Sequence, residues 1–409
     1  MSSDVRVAVT GMGLKTPVGN DIDSFWDALC AGRSAGAPFS AHEPGLLPVG
    51  FGCEVTGFNP ADYFDAKGVR RADRATQLGL AAATDAVADA GGIDADPTRC
   101  AVVVGSGQGG AQSIESEYLT VEKTGYNRVN PNWIPLIIVN ATTALVSMRF
   151  GLKGPSLAIA TACTSSAHSL GEGVRLIREG SADVVVAGGT ESPLTRVGIS
   201  AFALMGALSK RSSDPEHASR PFDADRDGFV LGEGAGFLVL ERWEHAAARG
   251  ARIHAEVVGY GRTSDAYHIT APSPDGSGAR RSMELALRDA GLVPDDVVHI
   301  NAHGTSTPLN DVTEAKAISD LFTGENVPVT STKGATGHLI GAGGAVEAID
   351  AILSIREETV HPTANHEKLD PRCDIDVVSG TPRKLARGPV LSNSFAFGGH
   401  NATLIFAPA

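Results

Sequence analysis

Cysteine is scarce in this 409-residue chain, and its five copies, at positions 30, 53, 100, 163 and 373, are scattered. No two form a C-x-x-C pair or a cluster with metal-ligand spacing, so no metal site is expected, and the odd count suits a reducing compartment. Long apolar runs are missing as well. No stretch approaches 18 uninterrupted apolar residues, which excludes an ordinary helical membrane span. The opening residues Met1-Ser2-Ser3-Asp4-Val5-Arg6 carry no basic segment followed by a long apolar one, so no secretory leader is expected and a cytoplasmic location is. Positive charge is in deficit, 34 Lys and Arg against 47 Asp and Glu, and a net charge of −13 argues against general nucleic-acid binding. A chain that is 42% hydrophobic at this length can bury one large core or two moderate ones.

Glycine is abundant, and three glycine motifs need weighing. Gly105-Ser106-Gly107-Gln108-Gly109-Gly110 follows the apolar Ala101-Val102-Val103-Val104 and satisfies the dinucleotide pattern G-x-G-x-x-G, which would make the chain an oxidoreductase. The acid at the expected distance, Glu122, falls in a charged stretch without a clear following strand. Gly11-Met12-Gly13 has Thr16 where the third glycine belongs, and Gly337-His338-Leu339-Ile340-Gly341 lacks the Lys-Ser/Thr ending of a phosphate loop. Tight turns and close helix–sheet contacts explain these glycines better than a nucleotide does.

Cys163 carries the strongest chemical signal. It stands between the apolar Leu157-Ala158-Ile159-Ala160 and a stretch with Ala167, Leu170, Val174 and Ile177 at helical spacing. That context predicts a thiol at the first turn of a helix, where free N–H groups and the helix dipole favour thiolate. Two distant loops add imidazoles: Asn301-Ala302-His303-Gly304-Thr305-Ser306-Thr307 after Val297-Val298-His299-Ile300, and Ser331-Thr332-Lys333-Gly334-Ala335-Thr336-Gly337-His338 after Val327-Pro328-Val329-Thr330. A thiol, two imidazoles and an ammonium at strand ends point to nucleophilic catalysis with electrostatic help.

A weak internal echo accompanies these loops. Thr161 to His168 leads into a helix ending Arg175-Leu176-Ile177-Arg178-Glu179, and Thr332 to His338 into one ending Leu353-Ser354-Ile355-Arg356-Glu357. Val5-Arg6-Val7-Ala8-Val9 and His254-Ala255-Glu256-Val257-Val258 open the two units. Two βαβ-rich halves, residues 1–250 with the cysteine and 251–409 with both histidines, are expected.

These stretches, with Asn393-Ser394-Phe395-Ala396-Phe397-Gly398-Gly399, Arg220-Pro221-Phe222-Asp223 and Ser264-Asp265-Ala266-Tyr267-His268, resemble the β-ketoacyl-acyl-carrier-protein synthases, most nearly the condensing enzyme II type. The resemblance runs over residues 5–406 with the motifs in family order. It implies an α/β duplicated thiolase fold, layered α-β-α-β-α with two mainly mixed or parallel sheets. It also implies condensation of an acyl thioester with malonyl-acyl-carrier protein, in fatty-acid or type II polyketide or polyene synthesis.

The resemblance assigns roles residue by residue. Cys163 is the nucleophile, His303 and His338 stabilise the enolate, and Lys333 with its partner Glu347 sets the local field. The N–H groups of Cys163 and Phe397 form the oxyanion hole, and Gly398 and Gly399 let the gating Phe397 move. Thr305 and Thr307 bind pantetheine, Gln108 and Phe202 line the acyl pocket, and Lys67, Arg70 and Arg71 dock the acidic carrier protein, with Arg128, Lys210 and Arg211 as weaker candidates. No separate cofactor is implied, since substrates ride on the carrier's phosphopantetheine. A homodimer, or a heterodimer with a chain-length-factor-like subunit, is expected, and a non-condensing partner subunit is the alternative reading. Three positions depart from the family pattern: Gln108 replaces an apolar pocket residue, Ala396 a glycine and His400 a threonine. A polar Gln108 is costly against a saturated chain and suits an unsaturated or oxygenated one.

Overall fold

Each apolar run that leads into a reactive loop is a strand. The computed structural model describes residues 5–43, 45–324 and 327–409; residues 1–4 of the segment read for a leader lie outside the described residues. Among the described residues the main sheet has eleven strands: β1 Val7–Lys15, β2 Cys100–Gly105, β3 Ser156–Ile159, β4 Val184–Glu191, β5 Gly234–Arg242, β6 Ala255–Ser264, β7 His299–Asn301, β8 Pro328–Thr330, β9 Asp376–Val377, β10 Val390–Ala396 and β11 His400–Ala407. Their order is β9-β8-β7-β10-β11-β6-β1-β5-β4-β2-β3. β2 runs parallel to β3 and β4, and β7 parallel to β8 and β10, while the pairs toward the middle are antiparallel.

The seam is thin. β1 and β6 pair only through Ala8–Glu256 and Val9–Ala255. On one side of it the order reads β3-β2-β4-β5-β1, and on the other β8-β7-β10-β11-β6, with β9 added at the edge. The sequence echo is therefore a repeat of topology.

Helices sort into layers on this frame. α1 (Arg74–Asp89) covers β1, β5 and β4 from outside; α4 (Ser277–Ala290) covers β6 and β11, with α5 (Pro308–Leu321) beside it. Between α1 and α4 in sequence come α2 (Ala111–Thr124) and α3 (Ser165–Arg178), and α6 (Gly343–Arg356) follows α5. α3 packs on β4 and β2, α6 on β10 and β5, and the two helices touch. They form the middle layer of the expected α-β-α-β-α stack. Ala167, Leu170, Val174 and Ile177 are buried as their spacing predicts. α6 is buried from Gly343 to Ile355 on every side, as befits a helix enclosed between sheets. No helix among the described residues is long and apolar enough to cross a membrane.

The dinucleotide reading ends here. A Cβ on Gly105 would lie 2.3 Å from the Ser165 backbone, so that glycine serves the approach of β2 to α3. The N–H groups of Gly107 and Gln108 point at the Glu191 carboxylate, at 2.5 and 3.1 Å. The donors that a pyrophosphate would need are already taken by this carboxyl group.

Candidate active site

Cys163 and the Lys333–His338 loop occupy equivalent places in the repeat: the first lies between β3 and α3, the second between β8 and α6. Ligand sites in α/β sheets gather at such carboxyl ends of strands. Cys163 sits in a short turn, Ala162–Thr164, directly before α3. Ala162 has φ +50°, a left-handed conformation that a non-glycine residue keeps only when its surroundings impose it. Ser165 Oγ donates to the Ala162 carbonyl at 2.7 Å and accepts from Thr161 N at 3.0 Å. Thr164 Oγ1 donates to the Thr161 carbonyl at 2.7 Å. These hydroxyls hold the turn that presents the thiol.

The expectation of a thiolate needs correction. Burial pushes the Cys163 thiol up to about 12, and the opposing pull of Lys333 and of the Phe397 and Cys163 N–H groups does not offset it. Desolvation outweighs the helix terminus. The resting nucleophile is a thiol, and its proton needs an acceptor at hand. His338 Nε2 lies 3.0 Å from Sγ.

His303 follows β7, and its N–H and that of Gly304 donate to the two oxygens of Glu314 on α5, both at 2.8 Å. His338 N donates to the Val230 carbonyl at 2.7 Å. The two rings stand 5.4 Å apart at 83°. Burial first, and then the Lys333 charge, hold both imidazoles well below the usual histidine range, so both rings are neutral at neutral pH. Neither Nδ1 has a hydrogen-bond partner among the described residues. Lys333 pairs with Glu347, and both side chains are buried. Reactive atoms of Cys163, His303 and His338 lie within 4.8 Å of one another, a set that could hold a metal ion. The neighbouring ammonium of Lys333 opposes a resident cation there.

A cavity of about 500 Å³ reaches this group. Its lining includes Gln108 and Phe202, as the sequence predicts, and Phe229 and Ile340 beside them. Phe202 packs edge-on against Phe229, which packs edge-on against His338, so acyl-pocket candidates touch the catalytic ring in turn. Thr305 and Thr307 also line the cavity, with their hydroxyls 2.9 Å apart, and Thr307 caps α5 by accepting from Asn310 N. Gly398 and Gly399 have φ of +83° and +72°. Gly398 N donates to the Ile269 carbonyl at 2.7 Å, which ties the Phe397 turn to a neighbouring loop. Lys67, Arg70 and Arg71 are not among the lining; they are exposed on the short helix Ala66–Val69 and the turn after it.

Family models for the N-terminal and C-terminal domains of beta-ketoacyl synthases match residues 4–246 and 254–367. The chain belongs to the β-ketoacyl synthase family. A protein of Synechocystis sp. named 3-oxoacyl-[acyl-carrier-protein] synthase 2 is 44% identical over 98% of this chain and 97% of its own length. Among solved structures, the ishigamide ketosynthase/chain length factor superposes with a TM-score of 0.93 at 35% identity, covering 99% of both chains. A type II polyketide ketosynthase, in complex with its acyl-carrier protein and bound to the hexaketide, gives 0.87 at 31% identity, again over 99% of both. This β-ketoacyl synthase is an acyltransferase, and its fold is the thiolase fold of those ketosynthases.

Two carboxylates of this synthase escaped the sequence reading. Glu314 holds the His303 loop, and Glu191 holds residues 106–108 and Gly341. Both are fully buried, and burial pushes both up to about 7. The available signal was a lone acid closing the run Val184-Val185-Val186-Ala187-Gly188-Gly189-Thr190. An acid there needs a dedicated set of donors.

Proposed function

We propose that this synthase catalyses decarboxylative condensation of an acyl thioester with malonyl-acyl-carrier protein, through an acyl-Cys163 intermediate, in fatty-acid or type II polyketide or polyene synthesis. The observation that carries this reading is the buried group of Cys163, His303 and His338, with Sγ 3.0 Å from His338 Nε2. In the first half-reaction Sγ attacks the acyl carbonyl carbon and its proton passes to His338. The Cys163 and Phe397 N–H groups stabilise the oxyanion. The carbon–sulfur bond to the carrier then breaks, and the leaving thiolate takes the proton back. In the second, the malonyl carboxylate leaves as CO2 and its electron pair becomes a thioester enolate. The Nε2–H groups of His303 and His338 donate to the enolate oxygen; no partner at Nδ1 among the described residues fixes the tautomer, so His338 can accept in one half and donate in the other. The enolate carbon attacks the acyl-Cys163 carbonyl, the carbon–sulfur bond to Cys163 breaks, and the leaving thiolate takes up one proton from solvent, the proton consumed overall when the carboxylate leaves as CO2. Lys333 with Glu347 orients the loop that bears His338, and Thr305 and Thr307 face the pantetheine amides. Gly398 and Gly399 let the Phe397 turn move. No separate cofactor takes part. Incubating purified enzyme with acyl- and malonyl-carrier proteins should give β-ketoacyl product and CO2 in equal amounts. CO2 without product from any donor would instead fit a non-condensing partner subunit.

The synthase acts in the cytoplasm as a dimer, with a second copy or with a chain-length-factor-like subunit. β3 is an open sheet edge, and Tyr126, Ile134, Ile138, Met148 and Leu157 are exposed on the segment ending in it. Lys67, Arg70 and Arg71 dock the acidic carrier protein. Changing Arg70 and Arg71 together to Glu is expected to lower kcat/KM with carrier-bound donors about tenfold or more at low salt, because steering is lost. Small thioester mimics need no dock and should be spared, and the deficit should shrink as salt rises. Equal loss with both donor types would assign these arginines to stability.

Gln108 sets the donor class. It lines a largely apolar cavity, and its amide group makes no hydrogen bond within the chain among the described residues. An unsaturated or oxygenated chain suits that wall better than a saturated one, by about 1–3 kcal/mol. Gln108→Ile should raise the ratio of kcat/KM for saturated over polyunsaturated donors about fivefold or more, with folding unchanged. A flat ratio across chain types would remove Gln108 from selectivity.

A further inference from the structure

A single buried carboxylate outside the catalytic group joins two loops that line the cavity. Glu191, the last residue of β4, is 0% exposed and takes only neutral partners. Its Oε1 accepts from Ser106 Oγ at 3.2 Å and Gln108 N at 3.1 Å. Its Oε2 accepts from Gly107 N at 2.5 Å and Gly341 N at 3.2 Å. Ser106 Oγ in turn accepts from Gly109 N at 3.0 Å, so the loop of residues 106–109 wraps the carboxylate. On the other side, Gly341 follows Ile340, whose φ of +46° is a costly conformation for a β-branched residue. A Cβ on Gly341 would lie 2.5 Å from Oε2 and 2.8 Å from Gly107 N, so the two backbones meet across this one group with no room for another. Gly107, Gln108 and Ile340 all line the cavity, and they come from opposite sides of the β1–β6 seam.

We propose that Glu191 is a positioning residue for acyl-donor selectivity: by accepting from both loops at once it fixes the separation of Gln108 and Ile340, and with it the shape of the acyl end of the cavity. The proposal rests on the ketosynthase reading above. A short acyl group stays beside Cys163, whereas a long one must run between these two walls. Loosening the clamp therefore penalises long donors selectively. Ionisation supplies a second handle. Burial pushes Glu191 up to about 7, against the pull of its four donors. Above that pH the carboxylate accepts from all four; once protonated, one oxygen presents a hydrogen to N–H donors and the clamp slackens. Selectivity for long donors should be highest on the alkaline side and fall as pH drops through the Glu191 transition.

The experiment measures kcat/KM with an acetyl- and a long-chain acyl-carrier protein for the wild type, Glu191→Gln and Glu191→Asp, from about pH 6 to about pH 8. Glu191→Gln should lower the long-to-short ratio roughly tenfold or more and flatten its pH dependence, with the short donor within about threefold of wild type. Glu191→Asp keeps the charge and should restore part of the ratio. A common loss for both donors, or an unchanged ratio, overturns the proposal. If Glu191→Gln does not fold, Glu191→Asp decides: a long-to-short ratio equal to wild type overturns the proposal, and a lowered ratio with the short donor spared supports it. Failure of the ketosynthase reading is distinguishable, because no donor would then acylate wild-type Cys163.

Discussion

Cys163→Ala is expected to abolish acyl transfer and chain extension, by roughly 10⁴-fold or more, while malonyl-carrier protein is still decarboxylated. The thiol is needed for acylation and not for loss of CO2, although His338 serves both half-reactions. Acylation needs the thiol, whereas enolate formation needs the hydrogen bonds from His303 and His338, which the substitution leaves in place. Alanine removes only the sulfur atom from a buried position, so the fold should survive. Measuring CO2 release and β-ketoacyl product in one assay separates the two steps. Product formation by the variant would remove Cys163 from the reaction.

The histidines should divide in a way that depends on their geometry. His303→Ala is expected to cut decarboxylation and condensation about 10²–10³-fold, the usual cost of one oxyanion donor in a closed site. It should leave acylation of Cys163 nearly intact, because the Sγ proton goes to His338 rather than to His303. His338→Ala should damage both halves, since the same ring serves thiol and enolate. Single-turnover acylation and CO2 release, followed separately, check this. Slow acylation in His303→Ala with normal acylation in His338→Ala would reverse the assignment.

Much of the site was legible because strand ends carry it. Glycine- and hydroxyl-rich loops after short apolar runs marked Cys163, His303 and His338, which the fold brings together, and the spacing of Ala167, Leu170, Val174 and Ile177 marked the helix beside Cys163. The repeat was faint in sequence because only its strand order and loop positions are duplicated, not its side chains. What escaped was depth. The thiol was read as ionised from its place before a helix, yet the layers packed around it make burial the larger effect. Depth also hid Glu191 and Glu314, whose partners are mainly backbone N–H groups and leave no mark in composition. The match at residues 105–110 illustrates the converse: a glycine pattern can satisfy a nucleotide motif while its N–H groups are already taken by a carboxylate. Lys67, Arg70 and Arg71, read as a dock for the carrier protein, are exposed and lie apart from the cavity lining.

Mass spectrometry of the wild-type protein after incubation with an acyl-carrier protein tests the central claim most directly. The account predicts a mass gain equal to one acyl group, located by peptide fragmentation on Cys163 and lost on adding malonyl-carrier protein as the β-ketoacyl product appears. An acyl group found on another residue, or a protein that condenses its substrates while Cys163 stays unmodified throughout, would contradict it.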